Sequence, residues 1–374
     1  MTTLLSQLAA RLRTTPVPLP AVVAGFDGFV DEMITVVGER QNLDSFVAVP
    51  DIATFGQLVT RAAGHSSLRE IVVTATHPGG CTVNFGDGLA TLGVPLDAFA
   101  TLGSPPHPAF AEITNKFHTC QSWGKEPGRT LAFEFNDGKL MFSAVRQLAD
   151  FDVAHVETAL GDGTYLAACA QAQLIALTNW TLYPHMTAVW RLLQERVYTR
   201  LPRRVPFFID LVDPASRSEP DIRAMLTALP GFEATGPLTL GLNGNEANIL
   251  ARILHIPPAN NEPAAVRQLA TDLRKQLGIS EVVVHQVKFA ATADAREQAV
   301  VDGPYCAKPK KSTGAGDRFN AGFCLGMLLG LDAQSRLALG CASSGFFVRQ
   351  ARSATLAELA EFLEKDYRRR ELAD

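Results

Sequence analysis

A glycine-rich segment followed by a long apolar stretch is the part of the sequence best suited to chemistry. The segment is Thr313-Gly314-Ala315-Gly316-Asp317, and glycines recur at positions 322, 326 and 330 of the stretch that follows. A helix beginning here would present unpaired backbone N–H groups and the positive end of its dipole, and glycine would let a phosphate approach them. Asp317, in the first turn, could accept the proton of an attacking hydroxyl. The pattern therefore predicts phosphoryl transfer, with a tight turn capped by Asp317 as the structural alternative.

Two motifs nearer the N-terminus could hold the acceptor of such a transfer. Asp27 and Asp31 lie four residues apart at the end of the first predicted strand, where open α/β sheets bind their ligands. Gly79 and Gly80 precede Asn84 at the start of a predicted helix. Paired glycines admit a ligand close to the main chain, and an amide offers a donor and an acceptor to a polyol. In both motifs, ordinary turn and cap residues are the alternative.

The elements that must position these residues follow an α/β pattern. Short, continuously apolar runs alternate with amphipathic stretches, which predicts a doubly wound, mostly parallel sheet flanked by helices on both faces. We expect the glycine stripe of the helix after Asp317 to press against this sheet. Strands are predicted at 22–24, 71–73, 174–177, 206–210, 238–242 and 282–284.

A hairpin signal interrupts the alternation. Asn136-Asp137-Gly138 joins two strand-like runs, a strong turn sequence that predicts a small β lid built from insertions around 28–75 and 98–145. Residues 1–20 are predicted to form an N-terminal helix and connector, and residues 21–370 the main domain. An exposed strand edge invites pairing, so a homodimer through the lid strands is a further expectation.

Composition narrows the class of protein. Lys and Arg total 34 against 38 Asp and Glu, a net charge of −4, which gives no electrostatic case for nucleic acid or an anionic membrane as a partner. The six cysteines show no CxxC pair and no Cys/His metal spacing. They are typical of reduced thiols in a cytoplasmic protein.

Six motifs, in their order along the chain, resemble those of the ribokinase-like PfkB carbohydrate kinases. The similarity spans about residues 20–365. It rests on the segments at Asp27 to Asp31, Gly79 to Asn84, Asn136 to Gly138, Asp213 to Arg217, Asn243 to Glu246 and Thr313 to Asp317. The resemblance implies a ribokinase-like fold that transfers the terminal phosphate of a nucleotide to a hydroxyl of a sugar or sugar-like polyol.

The resemblance also implies roles for individual residues. Asp317 would be the general base, and the backbone amides of Gly314, Ala315 and Gly316 would bind the transferred phosphoryl group. Asp31, Gly79, Gly80 and Asn84 would hold the sugar, with Asp27 as a companion. Asn243 and Glu246 would organise hydrated Mg²⁺. The residues expected at the nucleotide are Thr313, Gly314, Gly316, Asn243, His285 and Lys288.

Departures from the family pattern leave alternatives open. His285 and Val287 stand where the family commonly has Thr and Gly beside the nucleotide, so the donor stays open between ATP and ADP. Arg318 replaces a small residue. Either Lys288 or Arg318 could supply the charge missing at the nucleotide, but each is interpreted as a surface cation. A K⁺ site near residues 343–355 is left undecided. The competing functions are a nucleoside kinase, with Phe26, Phe29 or Phe133 stacking on the base, and a catalytically silent sugar-binding regulator.

Overall fold

The computed structural model describes residues 2–368 and contains two β-sheets. Its strands are β1 Val22–Phe26, β2 Phe29–Arg40, β3 Phe46–Ala48, β4 Ile71–Gly79, β5 Leu96–Ala100, β6 Thr119–Ser122, β7 Gly128–Phe135, β8 Gly138–Ala144, β9 Leu174–Thr178, β10 Phe207–Asp210, β11 Leu238–Asn243, β12 Glu281–His285, β13 Phe289–Ala293 and β14 Gln298–Asp302.

The helices lie mostly between these strands. They are α1 Thr2–Arg13, α2 Ile52–Arg61, α3 Cys81–Thr91, α4 Ala111–Thr114, α5 Val153–Ala159, α6 Thr164–Gln171, α7 Met186–Arg196, α8 Glu219–Leu226, α9 Leu229–Thr235, α10 Gly244–Ile253, α11 Pro263–Leu277, α12 Ala315–Leu328, α13 Ala333–Gln350 and α14 Leu356–Lys365. Within residues 2–368, none is long and apolar enough to cross a membrane.

The larger sheet has the predicted doubly wound, mostly parallel architecture. Its strand order is β14-β13-β12-β11-β10-β9-β1-β5-β6, and every pair from β6 to β12 is parallel. Only β13 and β14 run antiparallel, at one edge. Because its strands are covered on both faces, adjacent side chains enter opposite core layers. Phe207 contacts Phe232 of α9, whereas Phe208 contacts Phe323 of α12.

The glycine stripe of α12 packs against a helix and not against the sheet, which corrects the expectation from sequence. A Cβ added at Gly322 would overlap the carbonyl oxygen of Leu339, and one at Gly326 would lie 3.0 Å from the Cα of Arg336. Both neighbours belong to α13. Close approach of the two helix backbones is therefore the reason for small residues here.

The smaller sheet has the order β3-β2-β7-β8, with β4 pairing β2. The strand predicted at 71–73 lies in this sheet, antiparallel to β2, because its outward side chains stay exposed and could not fill a sheet covered on both faces. The predicted insertion 98–145 is too broad, since β5 and β6 belong to the larger sheet. The role of the smaller sheet as a lid stays a prediction.

Candidate active site

The larger sheet contains a topological switch point between β1 and β9. From these neighbouring strands the chain winds outward in opposite directions, to β5 and β6 on one side and to β10, β11 and β12 on the other. Loops diverge at such a point and leave a crevice at the carboxyl ends of the strands. Asp27 follows β1, and Asp210 and Asn243 end β10 and β11. The start of α12 faces the same crevice.

Two cavities adjoin at this crevice. The first, about 570 Å³, lies between the smaller sheet and the glycine-rich segment. The second, about 450 Å³, lies between that segment, the end of β11 and α13. Both reach Pro309 and Ser312. The first cavity is lined by residues that include Asp31, His77, Asn84, Lys139, Lys311 and Thr313. The second is lined by residues that include Asn243, Asn245, His285, Ala315, Gly316 and Gly345.

The glycine-rich segment forms a turn that ends in α12. Gly314 has a φ of +87° and is the N-cap of the helix, a left-handed conformation that favours glycine. The amide of Ala315 donates to the carbonyl of Ser312 at 3.0 Å, so it is already paired within the turn. Within residues 2–368, the amides of Gly314 and Gly316 have no hydrogen-bond acceptor. The predicted anion site therefore keeps these two amides and loses that of Ala315.

Asp317 lies in the first turn of α12 and is half-buried. Burial, together with the negative charges of Asp210 and Asp27, raises the pKa of its carboxyl to about 8. The positive charge of Arg318 and a hydrogen bond from the Cys81 thiol act in the opposite direction. A carboxyl with this pKa can both take and release a proton near neutral pH, as a general base must.

Asp27 does not contact either cavity, which corrects its predicted place beside the sugar. Its fully buried carboxylate accepts from the amides of Cys81 and Thr82, at 2.6 and 2.7 Å. It also accepts from the Thr178 hydroxyl at 2.8 Å and the Asn179 side chain at 2.9 Å. Asp27 thus caps α3 and joins it to β9. The start of a helix attracts a carboxylate strongly, and that partner could not be identified from the Asp27 segment alone.

Of the remaining predicted sugar residues, Asp31 and Asn84 line the first cavity, whereas Gly79 and Gly80 do not. Asp31 lies on β2 and Asn84 on α3. Burial raises the pKa of Asp31. A Cβ at Gly79 would overlap the Asp31 carboxylate, and one at Gly80 would lie 3.1 Å from an Asp27 oxygen. The two glycines are therefore required by close packing of the carboxylates behind the turn.

Asn243 and Glu246 form a capping box at the start of α10. The Glu246 oxygens accept from the backbone and side-chain nitrogens of Asn243, each at 2.7 Å. The Asn243 oxygen accepts from the amides of Asn245 and Glu246. Within residues 2–368, no group of three or more His, Cys, Asp or Glu is arranged to bind a metal directly. Contact through water, as the resemblance implies, is the arrangement these side chains allow.

The electrostatics of this region suit a cation. Burial, and next the charge of Asp210, raises the pKa of Glu246, and Asp317 contributes in the same direction. Asp210 is itself buried and accepts from the Asn320 side chain at 2.6 Å. Carboxylates that repel one another in this way are stabilised by a divalent cation, and Mg²⁺ prefers oxygen ligands and keeps most of its water. The side-chain oxygens of Asn243, Glu246 and Asp210 therefore fit hydrated Mg²⁺.

The structure separates the residues predicted at the nucleotide. His285 lines the second cavity and stacks on Phe319, with ring centroids 5.0 Å apart. Burial lowers the pKa of His285 to about 4, so its ring is neutral near pH 7. Lys288 is exposed, lies over the Tyr305 ring and does not line the cavity. Thr313 lines the first cavity and not the second. Lys288 and Thr313 thus lie outside this cavity, and their roles at the nucleotide stay predictions.

Sequence reasoning missed several residues of this site. Asp210 is detectable only as an acid at the end of a buried strand. Lys139 and Lys311 line the first cavity, but nothing in their local sequence distinguishes them from solvated lysines. Arg318, interpreted as a surface cation, is only 4% exposed.

The aromatic residues considered for stacking on a base are occupied elsewhere. Phe26 is fully buried and stacks on Trp123, and Phe29 is buried as well. Phe133 contacts Phe55 and Phe142 within the smaller sheet and its helix. None of the three lines either cavity. The structural reason for a nucleoside acceptor is therefore lost.

Comparison with known proteins agrees with this geometry. A family model for prokaryotic ketohexokinase matches residues 6–367. A ketohexokinase from Haloferax volcanii is 29% identical over 346 residues, which cover 91% of this chain and 90% of that protein.

Solved structures share the fold over nearly their whole length. A carbohydrate kinase from Agrobacterium tumefaciens has a TM-score of 0.61 at 15% identity and covers 93% of this chain and 98% of its own. Ribokinase from Thermotoga maritima has a TM-score of 0.61 at 16% identity, with coverage of 93% and 99%. Neither the nucleoside kinase nor the silent regulator is favoured. The chain belongs to the prokaryotic ketohexokinase family and is a carbohydrate kinase, a phosphotransferase that acts on a sugar.

Proposed function

We propose that this kinase phosphorylates a hydroxyl of a ketohexose, with ATP as the donor and Mg²⁺ as the cofactor. The observation that carries the proposal is that the two cavities meet at the glycine-rich segment. Asp317 does not line either cavity itself, but it follows Gly316, which lines the second, in the first turn of α12. A sugar in one cavity and a nucleotide in the other would bring acceptor and phosphate together at one carboxylate. The ketohexokinase from Haloferax volcanii supports the choice of sugar.

The reaction needs a base, a phosphate site and an in-line arrangement. The acceptor hydroxyl gives its proton to the Asp317 carboxylate while its oxygen forms a bond to the terminal phosphorus. The bond between that phosphorus and the bridging oxygen breaks, and its electron pair leaves with the nucleoside diphosphate. The free amides of Gly314 and Gly316 and the dipole of α12 stabilise the phosphoryl oxygens.

The sugar would lie in the first cavity. Asp31 can accept from two hydroxyls, and the Asn84 amide can both donate and accept. His77, Glu134 and Lys139 are also part of the polar lining, together with Lys310 to Thr313. Since His77 and Asp31 belong to the smaller sheet, closure of this sheet as a lid would exclude water from the reacting atoms.

The nucleotide would lie in the second cavity. Its phosphates would approach Gly316 and Asn243, and the neutral His285 ring can donate one hydrogen bond without adding charge. Asn243 and Glu246 would hold Mg²⁺ through water, and bound Mg²⁺ supplies positive charge to the phosphates. A K⁺ site near residues 343–355 and a cytoplasmic location stay predictions.

Turnover measurements test the proposal. The purified protein is assayed with fructose, glucose, ribose and adenosine, each with ATP or ADP and Mg²⁺, and the product is identified by ³¹P NMR. We expect kcat/KM for fructose with ATP to exceed that of each other pair by about 100-fold, since unpaired polar groups in the sugar site reject wrong acceptors. Turnover of adenosine or glucose in preference to every ketohexose tested would contradict the choice of acceptor. ADP outperforming ATP would contradict the choice of donor.

A further inference from the structure

Arg318 is a buried cation held in place by three elements. Its Nη2 donates to Asp87 of α3 at 2.7 Å, and its Nε donates to Ser353 at 3.1 Å. Its guanidinium carbon lies 4.4 Å from the ring centre of Phe347 on α13. The guanidinium is planar and always charged, and because it has contacts on three sides it is held in one orientation.

One terminal nitrogen of this group has no partner. Nη1 is buried and finds no hydrogen-bond acceptor within residues 2–368, whereas Nε and Nη2 each donate one hydrogen bond. A Cβ added at Gly314 would lie 2.9 Å from Nη1 and 3.5 Å from the amide nitrogen of Asn84. Nη1 thus lies against Gly314 and next to Asn84, at the backbone of the anion site. An unsatisfied buried donor of this kind needs a physical explanation.

The ion pair around Arg318 carries a surplus of positive charge. Asp87 accepts from Arg318 and also from Lys116 at 2.7 Å and the Ser353 hydroxyl at 2.6 Å. One carboxylate therefore faces two cations. Arg318 also lowers the pKa of Asp317 and, after burial, is the largest influence lowering the pKa of Lys311, which lines the first cavity. The charge of Arg318 therefore acts on Asp317 and Lys311, which lie on either side of residues 314–316 in the sequence.

We propose that Arg318 is a further catalytic residue whose Nη1 donates a hydrogen bond to an oxygen of the phosphoryl group as it passes between the cavities. The oxygen would bind next to Nη1 and the Asn84 amide, close to the backbone of the anion site. Arg318 stays protonated throughout, since the acceptor proton goes to Asp317 and the electron pair of the broken bond leaves with the nucleotide. Its contribution is stabilisation of the negative charge that spreads over the phosphoryl oxygens.

Arg318→Lys tests this role, because lysine keeps a positive charge near Asp87 but loses the planar guanidinium with its oriented N–H donors. We expect kcat to fall about 100-fold, as for removal of one donor from a preorganised anion site. KM for the sugar should change by less than about threefold, since the contact forms only in the transition state. Arg336→Lys is the matched control. Arg336 is partly buried, pairs with Glu281 at 2.7 Å and leaves its Nε unpaired. Its hydrogen-bond partners Glu281, Asp294 and Leu331 all lie outside the glycine-rich segment.

A transition-state mimic separates catalysis from stability. Aluminium fluoride is added to protein that already holds ADP, Mg²⁺ and the sugar, and the additional rise in melting temperature is measured. The parent and Arg336→Lys should show this rise, whereas Arg318→Lys should lose most of it. If Arg318→Lys does not fold, the double variant Asp87→Asn with Arg318→Gln replaces the buried ion pair by neutral groups and is measured in the same way.

A retained fluoride response, a kcat within about threefold of the parent, or an equal loss in Arg336→Lys would overturn the proposal. The inference rests on the proposed phosphotransfer, but the two can fail separately. The parent alone reports whether fructose and ATP are the substrates, and Arg318 is then judged with whichever sugar and nucleotide the parent turns over.

Discussion

Replacement of Asp317 by asparagine should remove activity and raise stability at the same time. The amide keeps the shape of the carboxyl but cannot accept the proton of the acceptor hydroxyl, so kcat should fall by about three orders of magnitude. The stability gain follows from burial. The pKa of Asp317 is raised from 3.8 to about 8, which means that the folded state disfavours the ionised carboxyl.

The gain in stability of Asp317→Asn depends on pH and has an upper limit set by the pKa shift. A rise of about four pKa units corresponds to at most about 6 kcal/mol, at about 1.4 kcal/mol per unit. Partial exposure and relaxation of the neighbours reduce this to about 2–3 kcal/mol, or about 3 °C in Tm for a chain of this size. The unfolded carboxyl ionises near pH 4 and the folded one near pH 8. The advantage of Asp317→Asn should therefore grow with pH between about 4 and 8 and then stay constant.

Thermal unfolding of the parent and of Asp317→Asn from pH 5 to pH 9 measures this difference, and Asp150→Asn, at an exposed position, is the control. The control should show no growing advantage over the parent. An advantage of Asp317→Asn that is absent, or equal at pH 5 and pH 9, would refute the electrostatic reasoning. Turnover within tenfold of the parent would refute the assignment of the base.

Three further variants test other parts of the site. Asp27→Asn should lose about 3 kcal/mol in chemical denaturation because one of two backbone amides then faces a buried NH2 donor and the other loses a charged acceptor, whereas Asp152→Asn, which caps α5 through one amide, should lose less than about 1 kcal/mol; equal losses would contradict the anchoring role. Gly314→Ala should reduce kcat and Tm, while Gly330→Ala, which also has positive φ but open space, should reduce Tm only. Phe142→Glu, on an exposed apolar face of the smaller sheet, should dissociate the homodimer that we propose to form there, as measured by sedimentation; a monomeric parent would exclude that dimer.

The fold was predictable from the sequence because its signal is local. A parallel strand covered on both faces must be continuously apolar, which made β1, β9, β10, β11 and β12 predictable. The other strands of the larger sheet, β5, β6, β13 and β14, were not predicted, and polar residues interrupt β5, β6 and β14. The roles of charged residues were less predictable because they depend on distant partners. Asp27 accepts hydrogen bonds from residues about 55 and 150 positions away. Arg318 pairs with Asp87, 231 positions away. Nothing in the sequence around Asp27 or Arg318 indicates these distant partners.

Proton release on sugar binding provides a direct test of the state of the base. Near pH 7 the Asp317 carboxyl, with its pKa raised to about 8, is mostly protonated. A sugar hydroxyl that donates to it favours the charged form, so binding should release about one proton at pH 7 and progressively less towards pH 9. Calorimetric titration with fructose in buffers of different ionisation enthalpy measures this release.

Two variants identify the group that releases the proton. Asp31 also lines the sugar cavity, and burial raises its pKa too, so Asp31→Asn is the matched control for Asp317→Asn. The release should disappear in Asp317→Asn and persist in any Asp31→Asn protein that still binds the sugar. The reverse result would make Asp31 the titrating group. Uptake of a proton in the parent would mean that Asp317 donates to the sugar in the ground state, which is the wrong direction for a base.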